Sequence, residues 1–251
     1  MEDVGRTFGE RTALAGLNLR VMEGQTVAVM GPSGCGKSTA LRTIIRLVEP
    51  DRGEITWRGT SILRLSQREL AAFRRRVGFV FQRSNLIGRL NVLENVMFPE
   101  VMAGVPVSRA RRHAMAALGG VGMDGRADAR VRELSGGEMQ RVAIARAIAG
   151  SPELILWDEP TASLDPILVV EVLQLIEDLI HRLGTTMLIV THEVTFARRC
   201  ADRVVLMDRG RVVEEGPPGA VLARPRSSLG KRYAAFLAYP GGLRQENASG
   251  L

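Results

Sequence analysis

The 251-residue sequence is poor in the residues that stabilise secreted domains or stack on nucleic-acid bases. Its two cysteines, Cys35 and Cys200, are too few for a disulfide framework and lack metal-ligand spacing, which fits a reducing compartment. It has two tyrosines, and its arginines are scattered, with short clusters at 74–76 and 111–112. The net charge of +7 therefore favours solvated basic faces, or a surface facing phosphate-rich ligands or anionic lipid headgroups. No nucleic-acid partner is expected.

Long apolar runs are also missing. The longest, at 154–157 and 186–190, are the length of strands, whereas a helix that crosses a membrane needs about 20 apolar residues. A secretory signal peptide is not indicated, because charged residues interrupt the start of the chain at Glu2, Asp3, Arg6 and Glu10. We therefore expect the protein to stay in the cytoplasm, where it can still sit on a membrane protein.

What is present is an alternation of strand-like and helix-like segments, typical of an α/β sheet protein. Strands are predicted from short apolar or alternating patterns at 26–30, 54–57, 77–81, 154–157, 187–191, 203–207 and 211–215. Helices are predicted from helical apolar spacing at 37–48, 92–103, 108–118, 138–149, 166–183, 219–223 and 231–238. Between 83 and about 150 no strand is predicted, which indicates a helical insert. The end of the chain, from 240 onward, is expected to be a frayed tail.

The glycine-rich segment GPSGCGKS, residues 31–38, matches the pattern G-x-x-x-x-G-K-[ST] between a predicted strand and helix. Glycines suit such a loop because successive backbone N–H groups must turn inward around a phosphate, and a Cβ would block that approach. Lys37 is expected to reach the β- and γ-phosphates, and Ser38 to bind Mg²⁺. A chance glycine-rich turn is disfavoured by the flanking elements. The predicted binding residues are Gly31, Pro32, Ser33, Gly34, Cys35, Gly36, Lys37, Ser38 and Thr39.

A second motif, LILWDE at 154–159, is an apolar strand that ends in two carboxylates. In phosphoryl-transfer sites, the first such carboxylate holds the Mg²⁺ shell and the second orients or deprotonates the attacking water. We assign Asp158 to the metal and Glu159 to the water. Alone the pattern would also fit an ordinary strand-end turn, but the phosphate loop upstream favours the functional interpretation.

The most specific segment is LSGGEMQR at 134–141, which places a serine and two glycines at the start of a predicted helix. It resembles the signature sequence of ATP-binding-cassette (ABC) ATPases, and the resemblance covers nearly the whole chain. It implies ATP and Mg²⁺ as ligands, with a nucleotide contacted by Ser135, Gly136, Gly137, Glu138 and Asp165. It also implies that Phe8 stacks on adenine, that Gln82 contacts Mg²⁺, and that His192 contacts the γ-phosphate. With Glu159, Gln82 and His192 form the predicted catalytic set; Ser38, Gln82 and Asp158 form the predicted metal set.

Two features depart from the family pattern. The segment before Phe8 is shorter than usual, so a shortened first strand is expected, and Trp157 is bulkier than the usual residue before the first carboxylate. His113 and His181 receive no role.

The resemblance implies an α/β fold with a P-loop core sheet, an N-terminal antiparallel β part and an inserted helical subdomain. The predicted division is a single ABC domain with its core at about 1–82 and 151–240, its helical subdomain at about 83–150 and a short tail at 241–251. The family also implies a head-to-tail dimer that sandwiches ATP between one phosphate loop and the opposing signature.

A motor without a membrane span must act on another protein, and the resemblance implies an integral-membrane permease at the cytoplasmic face of the membrane. The family docks its permease at residues 82–100, where Arg83, Leu86, Arg89 and Phe98 are candidate contacts. Among ABC transporters, an importer of polar amino acids is favoured by the segments 85–96 and 191–208. It is also favoured by a chain without the C-terminal regulatory domain of many methionine and sugar importers. Such an importer would add an extracytoplasmic solute-binding protein as a partner. Alternatives are a phosphonate or methionine importer, a lipoprotein-release or cell-division ATPase, and a soluble factor acting on ribosomes or DNA.

Overall fold

The computed structural model describes residues 1–238, and the predicted tail at 241–251 lies outside them. The strands are β1 (Glu2–Phe8), β2 (Arg11–Leu17), β3 (Thr26–Met30), β4 (Arg52–Glu54), β5 (Thr56–Trp57), β6 (Thr60–Ser61), β7 (Val77–Val80), β8 (Leu154–Asp158), β9 (Thr186–Val190), β10 (Arg203–Asp208) and β11 (Arg211–Gly216). The helices are α1 (Lys37–Ile44), α2 (Gln67–Arg74), α3 (Val92–Met102), α4 (Val107–Gly119), α5 (Gly136–Ile148), α6 (Pro166–Leu183), α7 (Val194–Cys200), α8 (Pro218–Val221) and α9 (Ser228–Ala238).

The main sheet has six strands in the order β11-β10-β3-β9-β8-β7. Its strands pair in parallel except for β11, which forms an antiparallel hairpin with β10. Strands β3, β8 and β9 are buried at every position, as expected for parallel strands covered on both faces. Because β3, β9 and β8 are neighbours, the loops that follow them meet at one edge of the sheet, where ligands of such folds bind.

A separate antiparallel sheet has the order β2-β1-β4, so the predicted N-terminal antiparallel part is present. Phe8 pairs with Arg11 at the tip of the β1–β2 hairpin. The predicted strand at 54–57 is wrong as one element, because β4 pairs with β1 whereas β5 forms its own hairpin with β6. Ile55 lies between β4 and β5 and is buried in the core that the main sheet shares with the β2-β1-β4 sheet.

The stretch between β7 and β8 contains no named strand, in agreement with the predicted helical insert. Its three α-helices share an apolar core with one face of the main sheet, and this core includes Val80, Ile155 and the fully buried Trp157. Trp157 therefore packs as a core residue. The division of the chain at 83 and 151 stays a prediction.

The bounds of the predicted helices agree with the structure to within a few residues, except that the first helix is shorter than predicted. Two helices of the structure, α2 and α7, were not predicted; α2 is eight residues long and begins at a capping box formed by Ser66 and Glu69. The first helix ends at Ile44 and not near residue 48, because the chain reverses at Arg46, whose φ is +52°. No helix of the described part combines the length and apolar character needed to span a membrane.

The loop before α3 is held by a buried side chain, that of Asn95. Its Oδ1 accepts the Ile87 N–H at 2.7 Å, while its Nδ2 donates to the carbonyls of Ile87 and Asn91 at 3.1 and 2.9 Å. Asn95 is fully buried, so these loop groups have a partner that water does not replace. The loop before α3, where the sequence predicts a permease contact, is thus fixed by the helix behind it.

We expect Asn95→Ala to lower the free energy of unfolding by about 2 kcal/mol, because it removes side-chain hydrogen bonds to the loop and leaves the part-buried Ile87 N–H without its partner. Asn91→Ala is the matched control: the Asn91 side chain caps α3 through an exposed hydrogen bond, and its loss costs about 1 kcal/mol. Urea unfolding of the two variants and wild type measures the difference. Equal shifts for both variants would contradict the role given to Asn95.

Candidate active site

The phosphate loop lies between β3 and α1, as predicted, and encloses the ammonium group of Lys37. Only 3% of Lys37 is exposed, and its Nζ donates to the carbonyls of Gly31 and Pro32 at 2.9 and 3.1 Å. A Cβ at Gly36, where φ is +108°, would collide with the Ala13 carbonyl, so only glycine fits this close approach. A buried cation beside a glycine-lined loop fits the phosphates of a nucleotide.

Cys35 contributes main chain to this loop, and its thiol is buried. Burial raises the pKa of that thiol above its usual value, so it is protonated at neutral pH. The thiol therefore does not have the properties of a catalytic nucleophile.

Ser38 and Asp158 meet at the predicted metal position. The Ser38 Oγ donates to Asp158 Oδ1 at 2.5 Å, and Arg42 Nη2 donates to the other oxygen, Oδ2, at 3.1 Å. Asp158 is fully buried, so both of its oxygens depend on these two partners. Arg42 was not predicted, although its position one turn after Ser38 on α1 is a signal that could have identified it.

The described residues contain no cluster of three or more His, Cys, Asp or Glu side chains able to hold a metal ion by themselves. One hydroxyl and one carboxylate are nevertheless the donors that suit Mg²⁺, which keeps several waters and binds substrate phosphates. The Ser38–Asp158 pair therefore fits a Mg²⁺ ion that arrives with a nucleotide.

Glu159 faces the loop from the end of β8. Its Oε1 lies 3.5 Å from Lys37 Nζ and 2.9 Å from His192 Nε2. The hydrogen bond with His192, together with the positive charge of Lys37, holds the pKa of the Glu159 carboxyl below its usual value. Glu159 is therefore ionised at neutral pH, as a group that accepts a proton or orients a water must be.

Glu159 also has an unusual backbone. Its φ is +48°, in the left-handed region, and its N–H donates to the Val190 carbonyl of β9 at 3.0 Å. Non-glycine residues adopt this region at an energetic cost and do so often at functional sites. The turn sends the Glu159 side chain toward Lys37 and His192 while Asp158 points toward α1.

Two other predicted residues lie at the margins of this cluster. Gln82 follows β7 and is exposed; its carbonyl accepts the Ser163 hydroxyl at 3.4 Å. Phe8 is 45% exposed, and the Arg6 guanidinium covers one face of its ring at 4.6 Å. The hairpin that carries Phe8 reaches the phosphate loop through Arg11, whose Nη2 donates to the Gly34 carbonyl at 2.8 Å.

The signature residues and Asp165 do not join the cluster. Ser135 caps α5 and forms a capping box with Glu138, and both Ser135 and Gly136 are exposed. Gly137 is buried against Leu168, and Asp165 caps α6 by accepting the N–H groups of Ile167 and Leu168. Over residues 1–238 no hydrogen bond or ion pair links these groups to the phosphate loop.

Comparison with known proteins identifies the family to which this chain belongs. The family model described as "ABC transporter" matches residues 14–162, which include the phosphate loop, both carboxylates and the signature. The chain belongs to the ABC transporter family. Proteins of this family are ATPases, so the recognition made from the signature sequence is confirmed.

Two curated relatives of this ABC protein are named for import systems. The L-cystine transport system ATP-binding protein TcyN of Escherichia coli (strain K12) is 44% identical over 239 residues, 93% of this chain and 95% of the relative. The methionine import ATP-binding protein MetN of Mesorhizobium japonicum is 42% identical over 91% of this chain. The chain spans about 63% of the length of that methionine relative.

Solved ABC structures confirm the fold class. A dimeric post-hydrolysis state of the ATP-binding cassette MJ0796, bound to ADP and Pi, matches with a TM-score of 0.77 at 36% identity, over 86% of this chain and 97% of that one. The structure of cbiO1 from Clostridium perfringens, part of the ABC transporter complex cbiONQ, matches with a TM-score of 0.79 at 31% identity, over 89% of each chain.

The capping geometry of Ser135 supplies a test of its predicted nucleotide contact, because Ser66 forms the same capping box at α2. We expect Ser135→Ala and Ser66→Ala each to lower the free energy of unfolding by about 1 kcal/mol. ATPase activity per folded molecule should fall at least about tenfold in Ser135→Ala only, since a donor to the nucleotide is lost. Similar activity in the two variants would show that Ser135 acts as a helix cap alone.

Proposed function

We propose that this ABC protein is the ATP-hydrolysing subunit of a membrane transporter, located at the cytoplasmic face of the membrane and acting as an ATP-sandwich dimer on a separate permease. The observation that carries the proposal is the convergence of buried Lys37 with the Glu159–His192 pair at the carboxyl edge of the sheet. This places a cation for phosphate and an ionised carboxylate for water on the same side of one loop.

The chain's own groups then have distinct roles. Lys37 and the amides of the phosphate loop bind the β- and γ-phosphates, and His192 contacts the γ-phosphate while it holds Glu159. Ser38, Asp158 and Gln82 would hold Mg²⁺, which neutralises phosphate charge when bound. Glu159 orients the attacking water and accepts its proton. Phe8 offers the face not covered by Arg6 to adenine.

Dimerisation is supported by the exposure of the signature. Ser135 and Gly136 open the N-terminal end of α5 to solvent, away from the chain's own phosphate loop. Such a helix end attracts an anion, and a second copy of the chain would bring its nucleotide there. The solved MJ0796 cassette is described as dimeric with ADP and Pi. We propose that Gly137, Glu138 and Asp165 also contribute to the contact with the nucleotide of the second copy.

The permease is supported by an exposed apolar surface at the corner of α3 and α4. Phe98 is 39% exposed, Met102 70% and Val107 62%, so three large apolar side chains face solvent along α3 and the start of α4. Arg83 and Arg89, in the loop before α3, are also exposed, whereas Leu86 is partly buried against the helical core. We propose that a permease segment docks on Phe98, Arg83 and Arg89.

The cargo is proposed to be a polar amino acid or a similar small solute, delivered by an extracytoplasmic binding protein. The cystine and methionine names of the relatives support this class. Methionine import is the second candidate, because several relatives carry that name.

We expect Glu159→Gln to bind ATP and run as a dimer in size-exclusion chromatography with ATP and Mg²⁺, with hydrolysis reduced at least about a hundredfold. Removing the base leaves the bridging nucleotide in place. Lys37→Ala is the contrasting variant, since it removes the phosphate-binding cation and should lose nucleotide affinity. Tight ATP binding by Glu159→Gln without dimer formation would contradict the sandwich.

The transport role is tested by affinity purification of tagged Glu159→Gln with ATP from gently solubilised native membranes, with partners identified by mass spectrometry. We expect a polytopic permease together with a solute-binding protein, and the ligand of that binding protein identifies the cargo. The same purification with Lys37→Ala is the control for nucleotide-dependent partners. Ribosomal or DNA-repair proteins in place of a permease would contradict transport and leave the ATPase function intact.

A further inference from the structure

The turn between β10 and β11 is bonded to the phosphate loop through main chain alone. The Gly210 N–H donates to the Cys35 carbonyl at 2.8 Å, inside the loop. The Gly210 carbonyl accepts the Ala15 N–H of β2 at 3.0 Å. One residue of a distant hairpin therefore joins the phosphate loop to the antiparallel sheet that carries Phe8.

The site of Gly210 excludes every side chain. Its φ is +75°, and a Cβ there would lie 2.7 Å from the Ala13 carbonyl oxygen, 2.8 Å from the Ala15 nitrogen and 2.9 Å from the Leu14 Cα. These atoms all belong to the backbone of β2, so they cannot rotate away as a flexible side chain can. The close approach, as well as the positive φ, requires glycine.

The same two elements enclose the loop at other points. A Cβ at Gly31 would collide with the Met207 carbonyl of β10, and one at Gly36 would collide with the Ala13 carbonyl of β2. Arg11, also on β2, donates to the Gly34 carbonyl at 2.8 Å. The phosphate loop thus lies between β2 and the β10–β11 hairpin, and Gly210 is the point where these two supports meet.

We propose that Gly210 is a positioning residue for nucleotide binding: it fixes the Cys35 carbonyl and β2 together, so that the amides of the phosphate loop face the phosphates. This inference rests on the proposed binding of ATP. Moving the turn away from Cys35 would loosen the loop and weaken ATP binding, whereas Glu159 and His192, which follow β8 and β9, would keep their positions. We therefore expect a change at Gly210 to alter the affinity for ATP more than the kcat of hydrolysis.

The test compares Gly210→Ala with Gly59→Ala. Gly59 also has a positive φ, +80°, in a two-stranded hairpin turn, but a Cβ there meets nothing within 4 Å. Both variants therefore carry backbone strain, and only Gly210→Ala displaces the turn from β2. We expect Gly210→Ala to raise the Kd of a fluorescent ATP analogue and the KM for ATP about tenfold, the worth of one main-chain hydrogen bond. For Gly59→Ala both should match wild type, and kcat per folded molecule should change less than KM in either variant. Unchanged Kd in folded Gly210→Ala would overturn the inference.

Hydrogen exchange on the wild-type protein tests the same coupling without a variant. A non-hydrolysable ATP analogue should slow exchange of the amides at 208–211, where Gly210 is bonded to Cys35, and leave those at 58–61 unchanged. Unchanged exchange at 208–211 in protein that binds the analogue would overturn the inference. Wild-type protein that does not bind the analogue would instead contradict the proposed function itself.

Discussion

The rest of the site depends on one buried ammonium group. Lys37 is 3% exposed, and a buried charge without partners is strongly unfavourable. The chain meets this constraint with two carbonyls of its own phosphate loop and with the carboxylate of Glu159. The loop is rich in glycine because a Cβ at Gly31 or Gly36 would collide with the Met207 and Ala13 carbonyls that enclose it. Glu159 reaches the same point because β8 and β3 both flank β9.

Adjacent carboxylates have separate roles because the backbone changes direction between them. Asp158 is the last residue of β8 and contacts Ser38 and Arg42 on α1. Glu159 follows with φ of +48° and contacts Lys37 and His192. A regular strand would also alternate their sides, but the left-handed turn brings Glu159 over the loop. The strain in this turn is offset by the hydrogen bond of its N–H to Val190.

The sequence predicts those parts of the structure that are formed by consecutive residues. The buried strands appear as short apolar runs, and the phosphate loop and the carboxylate pair appear as contiguous motifs. Arg42 was missed although it lies one turn after Ser38 on α1. Gly210 was not predicted because its role depends on which strands become neighbours, and sequence spacing alone does not encode that. The split of β4 from β5 was missed for the same reason, since each half pairs with a different partner. The roles of Phe8, Gln82 and Asp165 toward a nucleotide stay predictions.

The exposed N-terminus of α5, at the signature, and the phosphate loop are electrostatically complementary toward a bound nucleotide. Within one chain, Lys37 and His192 are the cationic or donor side chains beside Glu159, and a triphosphate carries more negative charge than these two groups balance. The N-terminus of α5 offers partial positive charge, and it is capped by Ser135 and Glu138. Under the proposed dimer, the nucleotide supplies the anion that the helix end lacks, and the helix end supplies the charge that the loop lacks. In that proposed dimer, removing the γ-phosphate would weaken the contact between the two surfaces, so hydrolysis would shift the equilibrium toward the open state.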